Sequence, residues 1–360
     1  MNRKNALVRL VLTPFAYLYG FAVWFRNQLF DLKILPSKKY AVPVICIGNI
    51  TVGGTGKTPF TEYLITLLQK QVRIGSLSRG YKRNTRGFIW VESSSTASEA
   101  GDEACQIKQK FPDVQVAVDG NRRRGIEQML SLPPGIRPEV ILLDDAMQHR
   151  YVTPSLTILL TDFHNLYYKD AMLPAGNLRE STKGAHRADI IVVTKCPDDF
   201  IPDDSDLIEN NMMLQTGQRL YFTKIKYHPL QPLFPSLSMH PCSLNEMDEK
   251  EELLLLTGIA NPQPFIKKIK SYNAHTKAYL FPDHHHFTPA NIKDVHVEFQ
   301  KMTSSQKKRI ITTEKDAMRL KTLPFLPDEW KPALYYLPMS VDFLFDQGKD
   351  FNENIIEHIN

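Results

Sequence analysis

Short apolar runs alternate with helix-like or loop-like stretches along most of the chain. Each run has the length of a buried strand, and this alternation predicts a mainly parallel sheet covered by helices, because parallel strands need long crossover connections. An amphipathic helix is predicted from Thr58 to Lys70, and Pro59 suits its first turn. Strands are predicted in six segments of the first part of the chain: 42–47, 73–77, 114–118, 140–143, 156–160 and 190–194.

The alternation resumes near residue 253, after stretches that are interrupted by aspartates and prolines. Strands are predicted at 253–256, 278–281 and 309–312, and helices at 264–271 and 289–300. A chain of 360 residues exceeds the size at which one core usually stops growing, so two domains with a cleft between them are expected. The predicted parts are an N-terminal helix at 1–31, a core domain at 32–215 and a smaller C-terminal α/β domain at 216–360 that closes the cleft.

The N-terminal segment carries an uncharged, aromatic-rich run at residues 10–25, with Arg9 and Arg26 at its ends. The run is shorter than the roughly 20 residues that a helix needs to cross a bilayer, and no small-residue cleavage site for a signal peptide follows it. Aromatic residues near basic ends are typical of a segment that lies among lipid headgroups. We expect a monotopic membrane anchor, and a buried core helix remains the alternative.

A glycine-rich loop lies between the first predicted strand and the first predicted helix. Its glycines let the backbone approach a phosphate chain, Lys57 supplies a cation, and the Thr58 hydroxyl suits a magnesium ligand. Thr51 occupies the position where the usual G-x-x-x-x-G-K-[ST] pattern has its first glycine. The predicted nucleotide-binding residues are Thr51, Val52, Gly53, Gly54, Thr55, Gly56, Lys57 and Thr58.

The strand predicted at 140–143 ends in two acids, Asp144 and Asp145. An acid at this place in a P-loop protein holds the magnesium shell. Successive strand side chains point to opposite faces, so both acids reach the site only if the chain turns there. Together the two motifs predict an α/β fold: a P-loop NTPase-like, mainly parallel sheet with a second, smaller α/β domain and an N-terminal membrane-associated helix.

Two further motifs are ambiguous from the residues alone. Asp102 opens a predicted helix, where it is either the N-cap, which the residue type favours, or a general base. The segment Asp283-His284-His285-His286 lacks the further ligands of a recognised zinc site. A histidine that shares a proton with a catalytic acid and a surface loop are the two readings of this segment.

Net charge and cysteine content limit which partners and which compartment are expected. The net charge of +5 suits an anionic partner such as a membrane surface but is too small to require nucleic acid, and none is expected. The four cysteines have no metal-ligand or disulfide spacing, which favours a reducing compartment. Pro197 stands where GTP-binding proteins have the aspartate that reads guanine, so ATP is favoured. Candidate phosphate contacts are Arg79, Arg122, Arg123, His149, Arg150, Arg179 and Glu180.

In this order along the chain, the motifs resemble those of the tetraacyldisaccharide 4′-kinase family of lipid A biosynthesis. That family shares the unusual position of Thr51. One departure is Ala146-Met147, where the family often has Gly-Phe, and it concerns local packing. The resemblance extends from the N-terminal segment to about residue 320 and is carried by Gly48–Thr58, Ser78–Tyr81, Gly101–Glu103, Leu143–Asp145 with Gln148-His149, Leu178–Glu180, Asp283–His285 and Thr312–Ala317.

The resemblance implies an enzyme that moves the γ-phosphate of Mg-ATP to the 4′-hydroxyl of tetraacyldisaccharide 1-phosphate. It also implies a location on the cytoplasmic face of the inner membrane. A monomer is expected. Asp102 takes the role of the base, against its reading as a cap, and His284 is preferred to His285 as its partner. Asp144 takes the magnesium role and Asp145 a charge-stabilising catalytic one, while Arg79, Arg123 and Glu180 are expected to contact the substrate.

Two other function classes remain open at this point. A P-loop ATPase or GTPase of the metallochaperone type would hydrolyse nucleotide without a lipid acceptor, and it leaves the N-terminal segment unexplained. A soluble small-molecule kinase would use that segment as a core helix.

Overall fold

The computed structural model describes residues 6–235, 240–248, 251–273, 275–283, 285–302 and 308–359. The strands are β1 (Val44–Gly48), β2 (Ile74–Ser78), β3 (Ile89–Trp90), β4 (Gln115–Val118), β5 (Val140–Asp144), β6 (Leu156–Asp162), β7 (Ile190–Thr194), β8 (Arg219–Tyr227), β9 (Gln231–Pro232), β10 (Glu252–Thr257), β11 (Thr276–Leu280), β12 (Lys308–Thr313), β13 (Leu334–Leu337) and β14 (Met339–Phe343). The helices are α1 (Ala6–Asp31), α2 (Lys57–Leu68), α3 (Ala97–Ala100), α4 (Asp102–Lys110), α5 (Arg122–Leu130), α6 (Pro202–Met212), α7 (Gln263–Lys270), α8 (Pro289–Lys301), α9 (Glu314–Lys321) and α10 (Gly348–Ile359).

A nine-stranded sheet in the order β14-β8-β7-β6-β1-β5-β2-β4-β3 forms the larger part of the molecule. Its seven central strands pair in parallel, and only β3 and β14 at the edges run antiparallel to their neighbours. Every residue of β1 and β5 is buried, as expected of strands covered by helices on both faces. This sheet confirms the predicted P-loop fold class.

The second sheet has five strands in the order β11-β10-β12-β13-β9. All but β9 pair in parallel. The succession β10–α7–β11–α8–β12 agrees with the predicted alternation, whereas α9 and β13 were not predicted. Its core includes Leu256, Ile310 and the fully buried Trp330.

The two sheets do not follow the predicted boundary between residues 215 and 216. β8 pairs with β7 and β14 pairs with β8, so residues 219–227 and 339–343 belong to the larger sheet. Phe351 and Ile355 of α10 are fully buried in the same core as Phe60 of α2. The C-terminal segment therefore returns to the larger unit, because its aromatic and aliphatic side chains complete that core.

Helix α1 ends at Asp31 and is docked along one side only. Tyr19 Oη donates to the carbonyl of Arg179 at 2.9 Å, and Arg26 donates to the carbonyl of Gln148 at 2.6 Å. By length and composition the segment Val8–Asp31 could cross a membrane, and little of it is buried. The large apolar side chains of α1 that stay exposed are Leu10, Val11, Phe15, Tyr17, Leu18, Phe21, Trp24 and Phe25.

Candidate active site

The glycine-rich loop connects the central strand β1 to helix α2. Gly56 caps α2 with a positive φ of 84°, a conformation that side chains rarely adopt. Thr55 is held from two directions, because its carbonyl accepts from Thr194 Oγ1 at 2.8 Å and its hydroxyl accepts from Asn49 Nδ2 at 3.0 Å. The loop shape and the free amides at the start of α2 give the local geometry of a phosphate site.

The structure explains why threonine is accepted at position 51. Thr51 is buried and forms an antiparallel bridge with Leu178, and the next amide, that of Val52, donates to the Asn177 carbonyl at 2.8 Å. Thr51 has no positive φ, so its conformation does not require glycine.

The acidic pair lies at the end of β5, the strand beside β1: Asp144 is its last residue and Asp145 follows it. Asp144 is buried at the strand end, and burial together with Glu103 raises its pKa to about 7. Asp145 has a φ of 49°, so the chain turns there and brings both acids to the same edge of the sheet. Its carboxylate lies 3.6 Å from Lys57 Nζ and 2.9 Å from Arg179 Nη1. Although burial alone would raise the pKa of Asp145, these two cations lower it below its usual range.

The residues at this edge fit a magnesium ion. Among the described residues, Asp144 Oδ1 is a buried oxygen without a hydrogen-bond partner, and such an oxygen favours a hard cation. Thr58 is the second residue of α2 and supplies a hydroxyl on the neighbouring element.

Arg179 and Glu180 belong to a network that joins α1 to the loop. Gln148 Nε2 donates to the Asn49 carbonyl at 2.8 Å and to Glu180 Oε1 at 3.0 Å. Glu180 is buried, and its second oxygen accepts from Arg187 at 2.8 Å. The carboxylate therefore orients Gln148 and Arg187, while its predicted contact with substrate stays a prediction.

Asp102 is buried at the start of α4 and is not the N-cap, which is Gly101. Its Oδ2 accepts a hydrogen bond from Arg319 Nη2 of α9. Gly101 has a φ of 88°, and a β-carbon there would meet the Tyr81 carbonyl at 3.0 Å. The positive φ and this close approach explain the glycine before Asp102.

The structure describes Asp283, His285 and His286 of the histidine segment. His284 lies outside the described residues. The His285 ring stacks on Phe281 with 4.6 Å between ring centroids, and its Nε2 lies 2.8 Å from Asn291 Oδ1. His285 is therefore engaged in packing between its loop and α8.

A basic cavity of about 530 Å³ opens near the ends of β2 and β4. Arg79 is exposed in it, whereas Arg123 is not among its lining residues. Asp119 is buried and binds Arg124 through both oxygens at 2.7 and 2.8 Å. The remaining basic residues that line it are Lys82, Arg83 and Arg86.

Two residues at the site were not predicted from the sequence. Lys195 donates to the Gly54 carbonyl and, at 2.7 Å, to Asp162. It follows β7 in the Thr-Lys-Cys-Pro motif, and that position was the available signal. Arg319 carries no comparable local signal, because its partner Asp102 lies 217 residues away.

Comparison with known proteins points to a kinase family. The family model described as tetraacyldisaccharide-1-P 4′-kinase matches residues 8–360. A tetraacyldisaccharide 4′-kinase of Parabacteroides distasonis is 51% identical over 349 residues, covering 97% of this chain and 94% of that protein. The protein of that name from Bacteroides thetaiotaomicron is 48% identical over 354 residues, covering 97% and 92%.

A crystal structure shares the fold. It is the "apo" form of LpxK from Aquifex aeolicus in complex with ATP, with a TM-score of 0.72, 29% identity, and coverage of 98% of this chain and 100% of that one. The resemblance drawn from the motifs is thereby confirmed, and these comparisons lend no support to a switch-type ATPase. From its P-loop, its acidic pair and these matches over nearly its whole length, the chain belongs to the tetraacyldisaccharide-1-P 4′-kinase family.

Proposed function

We propose that this chain transfers the γ-phosphate of ATP to the 4′-hydroxyl of tetraacyldisaccharide 1-phosphate, which yields lipid IVA, and that Asp102 is the base. The observation that carries the proposal is the convergence of the P-loop, Lys57 and the acidic pair at one edge of the larger sheet, in a chain of this family. The ATP-bound relative supports ATP as the phosphate donor.

The phosphate end of the site stabilises charge. Lys57 and Arg179 supply cations beside Asp145. The amides of the loop would face the phosphates of a bound nucleotide. Mg²⁺, held by Thr58 and Asp144, would neutralise charge on the β- and γ-phosphate oxygens when bound. Phosphoryl transfer asks mainly for positioning and charge stabilisation, which these residues fit.

At the acceptor end of the site, Asp102 takes the proton of the substrate hydroxyl. The 4′-oxygen forms a bond to the γ-phosphorus as the bond to the β–γ bridging oxygen breaks, ADP leaves, and the hydroxyl proton passes to the Asp102 carboxylate. Asp145 stays ionised beside Lys57 and stabilises the arrangement of the two cations. We keep His284 as the proposed partner of Asp102, since His285 is engaged with Asn291.

The basic cavity suits an anionic part of the substrate. The lipid carries a 1-phosphate, and Arg79 with Lys82 and Arg83 offers cations for it. Arg123 stays a proposed contact on the neighbouring helix. Closure of the smaller, five-stranded unit over the cleft for nucleotide and substrate is part of the same proposal.

The labelled-phosphate assay tests the function directly. Transfer from Mg-ATP to tetraacyldisaccharide 1-phosphate in detergent micelles is expected, and it should disappear in Lys57→Ala. Hydrolysis of ATP without labelled lipid would contradict the proposal and favour the switch-type ATPase.

We also propose that α1 lies in the plane of an anionic membrane surface, on the cytoplasmic face of the inner membrane, and that the enzyme acts as a monomer. The turns that dock through Tyr19 and Arg26 expose Phe21, Trp24 and Phe25 on the other side. A helix that is docked on one side and apolar on the other suits an interfacial position. An acylated acceptor cannot leave the bilayer cheaply, at about 0.8 kcal/mol per buried methylene.

Vesicle binding tests this position. Phe21→Asp combined with Phe25→Asp should abolish co-sedimentation with phosphatidylglycerol vesicles and leave transfer in micelles. Leu207→Asp on α6, equally exposed, is the matched control and should still co-sediment. Unchanged binding of the double variant would contradict the interfacial position. The monomer is tested separately by light scattering in detergent, where the mass of one chain is expected.

A further inference from the structure

Helices α4 and α9 join the two sheets through three ion pairs. Asp102 pairs with Arg319, Glu103 lies 3.7 Å from Lys315, and Lys110 lies 2.9 Å from Glu314. The order of the partners is reversed between the helices, so α4 and α9 run antiparallel. Only the first of these pairs involves the group proposed to accept the substrate proton.

The position of Arg319 is set by the smaller sheet. Its Nη1 donates to Asp316 Oδ1 at 2.8 Å and to the Gly258 carbonyl at 3.3 Å. Asp316 is itself held, because its Oδ2 accepts from Thr257 Oγ1 at 2.9 Å and from Thr313 Oγ1 at 2.7 Å. One edge of the guanidinium is therefore anchored within its own unit, and Nη2 is left to reach α4.

The charge balance at this contact favours an ionised base. Burial penalises the charged form of a carboxylate, and a cation in direct contact offsets that cost. For Arg319, burial would lower the pKa, but Asp102, Asp316 and Asp283 outweigh it and raise the pKa, so it stays charged. Glu103 and Lys315 of the same two helices also face this region, and they form a pair with each other.

We propose that Arg319 is a positioning residue for the transfer reaction: it orients the Asp102 carboxylate and keeps it ionised, which makes the base depend on docking of the five-stranded unit. This inference rests on the proposed role of Asp102. When α9 moves away, the buried Asp102 carboxylate loses its counter-charge and its orientation. Activation of the acceptor hydroxyl is therefore confined to the docked arrangement of the two units.

The test compares Arg319→Gln with Lys110→Gln. Both substitutions remove a cation from the α4–α9 interface, but Lys110 contacts Glu62 and Glu314 and does not contact Asp102. In Arg319→Gln, kcat should fall about tenfold to a hundredfold, and the acid limb of the pH profile should move up by about 1 to 3 pH units. The KM for ATP should change less than about twofold, because the phosphate end is intact. In Lys110→Gln the limb should not move.

A second variant controls for misfolding of Arg319→Gln. Arg319→Lys keeps the charge but loses the two-pronged contact, so the acid limb should stay in place while kcat falls about fivefold. Thermal melting and ATP binding report on folding in each variant.

The outcomes separate the inference from the proposed function. An unmoved limb in Arg319→Gln, or wild-type kcat in Arg319→Lys, would overturn the role of Arg319 even if Asp102→Asn is inactive. Wild-type transfer by Asp102→Asn would instead remove Asp102 as the base, and this inference with it. Equal shifts of the limb in Arg319→Gln and Lys110→Gln would reduce the effect to a loosened interface.

Discussion

The phosphate end and the base end of the site are assembled in different ways. The loop from Thr51 to Thr58 follows β1, and the acidic pair lies at the end of β5, which is hydrogen-bonded to β1 in one sheet. Asp102 lies on α4 of the same unit, but its carboxylate meets Arg319 of the other sheet. The first site is therefore complete within one sheet, whereas the second needs both.

The difference shows where each kind of site is vulnerable. Neighbouring parallel strands end at the same edge, so a motif after each of them is brought together by the sheet itself. A carboxylate paired across two units depends on how those units dock. We expect substitutions at the first end to affect nucleotide binding and those at the second to affect transfer alone.

The largest effect is expected from Lys57→Ala, which breaks the phosphate end. Transfer should fall about a thousandfold and ATP binding should weaken strongly, because a cation beside the developing charge is lost. Calorimetric titration with ATP and the labelled-lipid assay measure the two effects. Lys70→Ala, an exposed lysine just beyond α2, is the control. ATP affinity retained in Lys57→Ala would remove the contrast between the ends.

Asp102→Asn should break only the base end. Transfer is expected to fall about a hundredfold, since the amide cannot accept the proton, while ATP affinity stays unchanged. The same two measurements apply, so this variant and Lys57→Ala form a direct comparison. A parallel loss of ATP affinity would mean that the two ends are not separable.

Phe351→Ala tests how far the phosphate end depends on the returning C-terminal segment. The Phe351 ring packs 5.6 Å from that of Phe60 on α2, and both are fully buried. The unfolding free energy should fall by about 3 kcal/mol, because a cavity opens beneath the P-loop helix. Chemical denaturation measures it, and Phe345→Ala, a partly exposed ring, should cost much less. Equal losses of unfolding free energy in the two variants would mean that the packing of Phe351 against α2 contributes no special stability.

The smallest effect concerns His149, whose pKa is lowered to about 4 by burial and by Arg122, Arg26 and Arg79. The folded pKa lies below the unfolded one, so the unfolded chain takes up the proton first as pH falls, and stability is lost from about pH 6.5 down towards pH 4. Between pH 7.5 and 5 the wild type should lose about 1 kcal/mol more than His149→Gln, allowing for its partial exposure. Denaturation at the two pH values measures this difference, and equal losses would mean that His149 charges freely in the fold.

Strands β8 and β14 were not predicted from the hydrophobic pattern of the sequence. β8 carries Lys224 and Lys226 and is only partly buried, and β14 has one buried residue, Val341. Neither segment has the continuous apolar run that marks a central parallel strand. The strands of the sheet centre were predicted because their burial on both faces leaves that run in the sequence.

The sequence alone determined six of the seven parallel strands of the larger sheet, the P-loop, the acidic pair and the family. Each of these is a local pattern, because strand burial, loop geometry and helix capping act on neighbouring residues. Only the tertiary structure decided that the C-terminal segment completes the larger sheet and that Arg319 meets Asp102. Those contacts join residues far apart in the chain, and they arise from core packing and from pairing of buried charges, which leave no fixed spacing in the sequence.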